Sequence, residues 1–271
     1  MCRILFWNLK RKDLTDLVCD LVAATVADVV VLNETSLTIE RTLAALRERV
    51  DSQFSIPAAM AHDKFQCLVR APSLDLTEVH KGIRTSVRKL KFDRQDLLLA
   101  LVHGVDIRNY DSDARLLAAQ RLASEIQFVK TQQSHNRVIV LGDFNMNPYD
   151  PGMNLAAGFN AMMTRECVAA GQRTFLGEQF DFYYNPMWGL FGDGTRGPAG
   201  TVYDMSNRGP YGWSMLDQVI FSHSTVGLFG SVEILSHAGT RPLINSRGRP
   251  DSRVASDHLP ILVQLRGVGR D

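Results

Sequence analysis

The chain has 271 residues, 45% hydrophobic and 22% charged, with a formal net charge of +1. That length and balance suit a globular chain that buries a large core, as one large domain or two small ones. The near-neutral charge excludes a polybasic coat or an acidic solvating tail as the basis of function.

Cys2 to Asn8 is a short apolar run and reads as a buried strand. It turns polar too soon for the apolar region of a signal peptide. Leu14, Leu17, Val18, Leu21 and Val22 then recur on one face of a helix, with Asp13 placed to cap it. Val29 to Asn33 predicts a second buried strand. Ile39, Leu43, Leu46 and Val50 mark a second amphipathic helix. Phe65–Val69, Ser86–Leu90 and Leu97–His103 predict successive strands. A third helix follows, with Ala119, Leu122, Ile126 and Val129 inward and Asp111 or Ser112 as its cap. Arg137–Leu141 predicts one more central strand.

Regular patterning fades from Pro148 to Trp213, where Gly, Pro and aromatic residues recur. That segment reads as a long ordered loop region with at most one short helix, and loops of that length are commonly functional. Leu216–Phe221 and His258–Leu265 close the chain as late strands. No repeat or linker interrupts residues 1–271, so a single domain is expected. Many strands with interspersed helices predict two packed sheets flanked by helices. No apolar run approaches the ~18 residues that span a bilayer. The four cysteines, Cys2, Cys19, Cys67 and Cys167, form no C-x-x-C pair. Neither a zinc site nor a disulfide framework is expected, and a reduced, cytoplasmic setting is the default.

Polar residues gather where the predicted strands end. Asn8 closes the first strand, Glu34 follows Val-Val-Val-Leu-Asn, and His103 closes Leu-Leu-Leu-Ala-Leu-Val. Asp143 and Asn145 stand in Gly142-Asp143-Phe144-Asn145. Asp217 follows Met215-Leu216, and Asp257 and His258 follow Ser256. Taken singly, each has a plain structural reading: Asp-Phe-Asn as a turn, Glu34 as a capping carboxylate, Ser-Asp-His as a loop, His103 as a packed imidazole. Their joint occurrence at strand ends, in this order, points to one shared rim.

In those residues the chain resembles the endonuclease/exonuclease/phosphatase superfamily, which includes deoxyribonuclease I and the abasic-site endonucleases. The match runs from Phe6-Trp7-Asn8 through Asn33-Glu34, Val102-His103, Gly142-Asp143-Phe144-Asn145 and Leu216-Asp217 to Ser256-Asp257-His258. The resemblance implies a four-layer α-β-β-α sandwich with the active site at one rim, and metal-dependent phosphoester hydrolysis. Glu34 suits Mg²⁺, a hard cation that takes one or two carboxylates and keeps several waters. Mn²⁺ is expected to substitute. Asn8 would add an amide oxygen, and Asp257 would assist directly or through water. Asp143 would position or deprotonate the attacking water, with Asn145 holding it. His258 and His103 would contact the phosphate, and Asp217 would orient His258 and raise its pKa above the usual ~6.5.

The chain departs from some relatives. Met215 stands where many carry Arg two residues before the aspartate, and Met146-Asn147-Pro148 follows Gly-Asp-Phe-Asn where the inositol phosphatases place Arg. These positions bear on substrate rather than on the core chemistry. A nuclease needs local positive charge, because phosphate contacts supply most nonspecific affinity. Arg241, Arg247, Arg249 and Arg253 precede Ser-Asp-His and are expected to border the site. Arg108 and Asn109, just beyond His103, are placed to reach phosphates. Lys81, Arg84, Arg88, Lys89, Lys91 and Arg94 read as a solvated strand face. Tyr183–Trp188 either lines the cleft, stacking on bases, or packs in an outer layer, and packing is the stronger reading. His62, His80, His135, His223 and His237 read as surface residues. A nuclease acting on DNA or RNA is the leading expectation. A phosphatase for a nucleotide, inositol phosphate or lipid headgroup is the alternative. No segment calls for a protein partner, so a monomer is the default.

Overall fold

The computed structural model describes all residues except 59–63, 71–73, 195–196, 207–210 and 268–271, so His62 lies outside the described residues. Strands β1 (Cys2–Asn8), β2 (Val29–Asn33), β3 (Phe54–Ser55) and β4 (Phe65–Arg70) belong to a six-stranded sheet. It is completed by Ile261–Leu265 and Phe229–Ile234. Strands β5 (Asp75–Lys81), β6 (Thr85–Phe92), β7 (Gln95–His103) and β8 (Val138–Asp143) open a seven-stranded sheet. It continues through Asp217–Ser222, Tyr183–Tyr184 and Ala161–Met162.

Alternation along the strands sorts their side chains into three apolar layers. Ile4, Phe6, Val29 and Val31 meet Leu99, Leu101, Ile139 and Leu141 between the two sheets. Leu5, Trp7, Val30 and Leu32 face outward and are covered by helices α1 (Thr15–Thr25) and α2 (Ile39–Arg49). Leu98, Ala100, Val102, Val138 and Val140 face outward on the other side. There they are covered by α3 (Ser112–Gln132) through Ala119, Leu122, Ile126 and Val129. The central strands are buried on both faces, which is why they read as continuous apolar runs. The four-layer sandwich expected from the sequence is present.

Several local expectations change. Asp111 caps α3, its side chain accepting from Ala114 N. Asp13 lies one residue before the α1 cap position, which Leu14 occupies, and accepts from Thr15 N at 3.2 Å. The last strand starts at Ile261 rather than His258, because Pro260 has no N–H for a ladder bond. Asp75–Lys81 and Phe229–Ile234 are edge strands that the alternation did not show. Each carries a register shift, between Glu78 and His80 and between Phe229 and Ser231, which breaks the two-residue period. Among the described residues between Pro148 and Trp213 lie two short α-helices, a 3₁₀ helix and several short strands rather than a loop. No helix among the described residues is long and apolar enough to cross a membrane.

Candidate active site

Strand register assembles the site. In the seven-stranded sheet β7 runs parallel to β8 and pairs His103 with Asp143, while the antiparallel strand on the far side of β8 pairs Asp217 with Asp143. Three predicted residues therefore stand abreast at one sheet end. In the six-stranded sheet β1 pairs Asn8 with Asn33, and Glu34 follows directly. The two rims face each other across a cleft of about 420 Å³ lined by Glu34, His103, Asp143, Asn145, Asp257 and His258.

The backbone is specialised here. Glu34 has φ 47° and Asn145 φ 52°, in the left-handed region that non-glycine residues seldom occupy. Such outliers cluster where a rigid surround holds functional groups. A Cβ at Gly142 would run into the Val102 carbonyl, and one at Gly104 into the Phe144 carbonyl. The two strand ends reach this separation only with glycine there. The Ser-Asp-His segment is bonded to the end of β1. Ser256 Oγ donates to Asn8 O at 2.6 Å, and the Trp7 indole donates to His258 O at 2.8 Å.

His258 and Asp217 form a buried pair, with Nδ1 donating to Oδ2 at 2.8 Å. Burial opposes the charged imidazole, but Asp217, with Asp143 and Asp257 nearby, outweighs it and pushes His258 up to about 10. Asp143 accepts from Asn145 N at 2.9 Å and from Asn8 Nδ2 at 3.0 Å. Its burial pushes its carboxyl above the ordinary range, against the pull of His258. His103 is held neutral, well below the usual histidine range, first by burial and then by the cations Lys64 and Arg84.

Glu34, His103 and Asp143 bring ligand atoms within 4.8 Å of one another. Two hard carboxylates, Glu34 and the buried Asp143, beside the His103 imidazole fit a small divalent cation. Asn8 does not present its oxygen to them. Its Oδ1 accepts from Lys10 N at 3.0 Å, and its Nδ2 faces Asp143 and Glu34. Asp257 turns Oδ2 to Lys10 Nζ at 3.1 Å.

Arg108 lines the cleft and pairs with Asp204 at 3.5 Å, whereas Asn109 lies outside it and donates to Asp106. Arg247 and Arg249 do not line the cleft. Arg249 stacks on Tyr203, which stands between the cleft residues Val202 and Asp204. Arg241 and Arg253 pair with Asp20 and Asp251. The solvated-face reading fails for two residues of the middle strands. Arg88 is buried against Glu78, and Arg84 lines the cleft and donates to the His103 and Gly104 carbonyls. Tyr183 and Met187 are buried in the layers, away from the cleft. Lys10, Arg11 and Lys64 line the cleft and were not anticipated. The signal for the first two was their place, two and three residues after Asn8.

The family model for the endonuclease/exonuclease/phosphatase family matches residues 5–258. No curated protein sequence matches the chain. Among solved structures, a humanized D. rerio TDP2 superposes with a TM-score of 0.58 at 14% identity, over 98% of each chain. The endonuclease domain of TRAS1, a telomere-specific non-LTR retrotransposon, gives 0.58 at 15% identity, over 99% of this chain and 100% of that one. A mannosyl-6-phosphatase from Bacteroides thetaiotaomicron gives 0.60 at 13% identity, over 98% and 100%. At such identities the likenesses show the fold, while the family match over nearly the whole length makes this chain a member of the endonuclease/exonuclease/phosphatase family, whose reaction is metal-dependent hydrolysis of phosphoesters.

Proposed function

We propose that the protein is a nuclease that hydrolyses phosphodiester bonds in DNA or RNA with Mg²⁺, Mn²⁺ substituting. The distribution of positive charge carries this reading. Lys10, Arg11 and Lys64 reach the cleft from the six-stranded sheet, and Arg84 and Arg108 from the seven-stranded sheet. Cations on both lips suit a polyanion lying across the cleft, with phosphates on either side of the scissile one. The same cleft also carries the carboxylates Glu34, Asp106, Asp143, Asp204 and Asp257, so with a net charge of only +1 the reading rests on the placement of these cations on both lips, not on an overall positive cleft.

Glu34 is the carboxylate that holds the cation, with Asn8 and Asp257 at its border. When bound, the cation supplies Lewis acidity to the phosphoryl and leaving oxygens. Asp143 orients or deprotonates the attacking water, and Asn145 fixes Asp143 through its backbone N–H. The charged His258, held by Asp217, neutralises a phosphoryl oxygen. The neutral His103 donates one N–H to another. Arg108 binds a flanking phosphate, and Asn109, Arg247 and Arg249 are more distant contacts for a long substrate. The four cysteines are all unpaired, which fits a reducing, cytoplasmic setting, and a monomer suffices for the site.

A phosphatase for a small phosphorylated substrate is the second reading, favoured by the modest cleft of about 420 Å³. Purified protein assayed with Mg²⁺, Mn²⁺ or EDTA, beside Asp143→Ala, separates the two. The substrates are single- and double-stranded DNA, RNA, an abasic-site duplex, bis-p-nitrophenyl phosphate, nucleotides and inositol phosphates. Metal-dependent polymer cleavage that the substitution abolishes is the expected result. Turnover of small phosphates alone establishes the phosphatase, and activity that survives EDTA and the substitution overturns both.

A further inference from the structure

Lys10 is not placed like a solvated lysine. It stands two residues beyond Asn8 with φ 53°, followed by Arg11 at 56°, in the left-handed region. That turn does two things. Its backbone N–H occupies the Asn8 amide oxygen at 3.0 Å, so the Asn8 amide N–H groups face Asp143 and Glu34. Its side chain reaches the cleft, where Nζ lies 3.1 Å from Asp257 Oδ2. The other oxygen, Asp257 Oδ1, is buried with no hydrogen-bond partner.

Two groups of ligand atoms converge among the described residues: Glu34, His103 and Asp143, and Asp143, Asp217 and His258. The second is occupied internally by the His258–Asp217 hydrogen bond. Asp257 belongs to neither. A second divalent ion ~3.5–4 Å from the first would need carboxylates to bridge to, and Asp257 already has a cation on it.

We propose that this centre holds one divalent cation, beside Glu34, and that the Lys10 ammonium is its second positive charge, fixed on Asp257. The inference rests on the metal-dependent reading above. An ammonium is a compact point charge with three donors. One is directed to Asp257, which leaves others for a phosphoryl oxygen. The Lys10 side chain is 43% exposed, so substrate can reach it. Lys10 is therefore a catalytic residue, and Asp257 positions it.

The test counts Mn²⁺ ions bound by the full chain, by electron paramagnetic resonance and titration calorimetry, for the wild type, Lys10→Ala and Lys10→Asp. The wild type and Lys10→Ala are expected to bind one ion. Lys10→Asp, which exchanges the ammonium for a hard oxygen beside Asp257, is expected to bind two. Lys10→Ala is also expected to lose ~10² or more in kcat on bis-p-nitrophenyl phosphate, the usual effect of deleting one pre-organised charge. Two ions in the wild type, a single ion in Lys10→Asp, or an unchanged kcat in Lys10→Ala overturns the proposal. No bound ion in the wild type instead overturns the metal-dependent reading beneath it.

Discussion

Asp217 Oδ2 accepts a hydrogen bond from His258 Nδ1 at 2.8 Å, and Asp217 Oδ1 is buried with no partner. The imidazole is therefore the principal partner of this carboxylate and is held by it in one orientation. Asp217→Asn removes the charge but keeps the size. It is expected to lower kcat by ~10² or more, as loss of a pre-organised electrostatic group does. An NMR titration of the variant should show His258 losing its proton at lower pH than in the wild type. Equal titration in the two proteins would remove Asp217 from this role.

The same pair makes stability depend on pH. The His258 pKa is raised in the folded state to about 10, against ~6.5 in an unfolded chain. A raised histidine contributes stability that is fully present below ~6.5 and is lost as pH rises toward the folded value. Metal-free protein should thus lose thermal stability between neutral pH and about pH 10. In Asp217→Asn the decline over that window should shrink. Melting curves at a series of alkaline pH values measure both slopes.

Metal addition should raise the melting temperature. Binding to the folded state alone stabilises by ~2.7 kcal/mol at a hundredfold excess over Kd. A neighbouring cation would also favour the charged form of the buried Asp143 carboxyl, which burial raises above its usual range. Mg²⁺ or Mn²⁺ is expected to shift the wild-type transition upward, EDTA to reverse the shift, and Glu34→Ala to abolish it. A wild-type transition that ignores the ions would place the metal elsewhere.

Much of this site was legible because strand ends are legible. Asn8, Glu34, His103, Asp143 and Asp217 each follow an apolar run buried on both faces, and parallel or antiparallel register brings such ends abreast. Lys10 and Arg11 were hidden for a different reason. Their position over the cleft follows from two left-handed residues in succession, which no periodicity announces. Arg88 shares the two-residue period of the buried Leu90 and Phe92, but an arginine among Lys89 and Lys91 reads as solvated, and Arg84 lies just before the strand. Only the neighbouring edge strand, with Glu78 facing inward, turns Arg88 into a buried partner. The arginines before Ser-Asp-His were near the site in sequence, yet Arg241 and Arg253 are taken up by Asp20 and Asp251.

That buried pair yields a stability prediction independent of catalysis. The Arg88 and Glu78 side chains are 2% and 1% exposed and lie 3.4 Å apart, and Ser86 Oγ donates to the same Glu78 oxygen at 2.6 Å. Removing one partner strands the other charge in the core, which costs ~3–5 kcal/mol. Arg88→Ala should be strongly destabilised in urea unfolding. Replacing both residues with apolar ones of similar volume should recover much of the loss. A mild effect of the single substitution would mean that water reaches Glu78.

The charged lips set the final prediction. Arg11, with its side chain 84% exposed, and Arg108, 56% exposed, border the cleft from opposite sheets. If each meets a flanking phosphate, removing either weakens polymer binding across all sequences and lowers the salt slope by ~1. Arg11→Ala and Arg108→Ala should raise KM for DNA or RNA, and the loss on bis-p-nitrophenyl phosphate, which has no flanking phosphate, should be the smaller. The double variant should lose both increments, because the two arginines sit on opposite lips and act independently. Salt-dependent KM values for the four proteins measure this. An unchanged slope in all of them would mean that the substrate carries no phosphate beyond the one being hydrolysed, and the phosphatase reading would then take precedence.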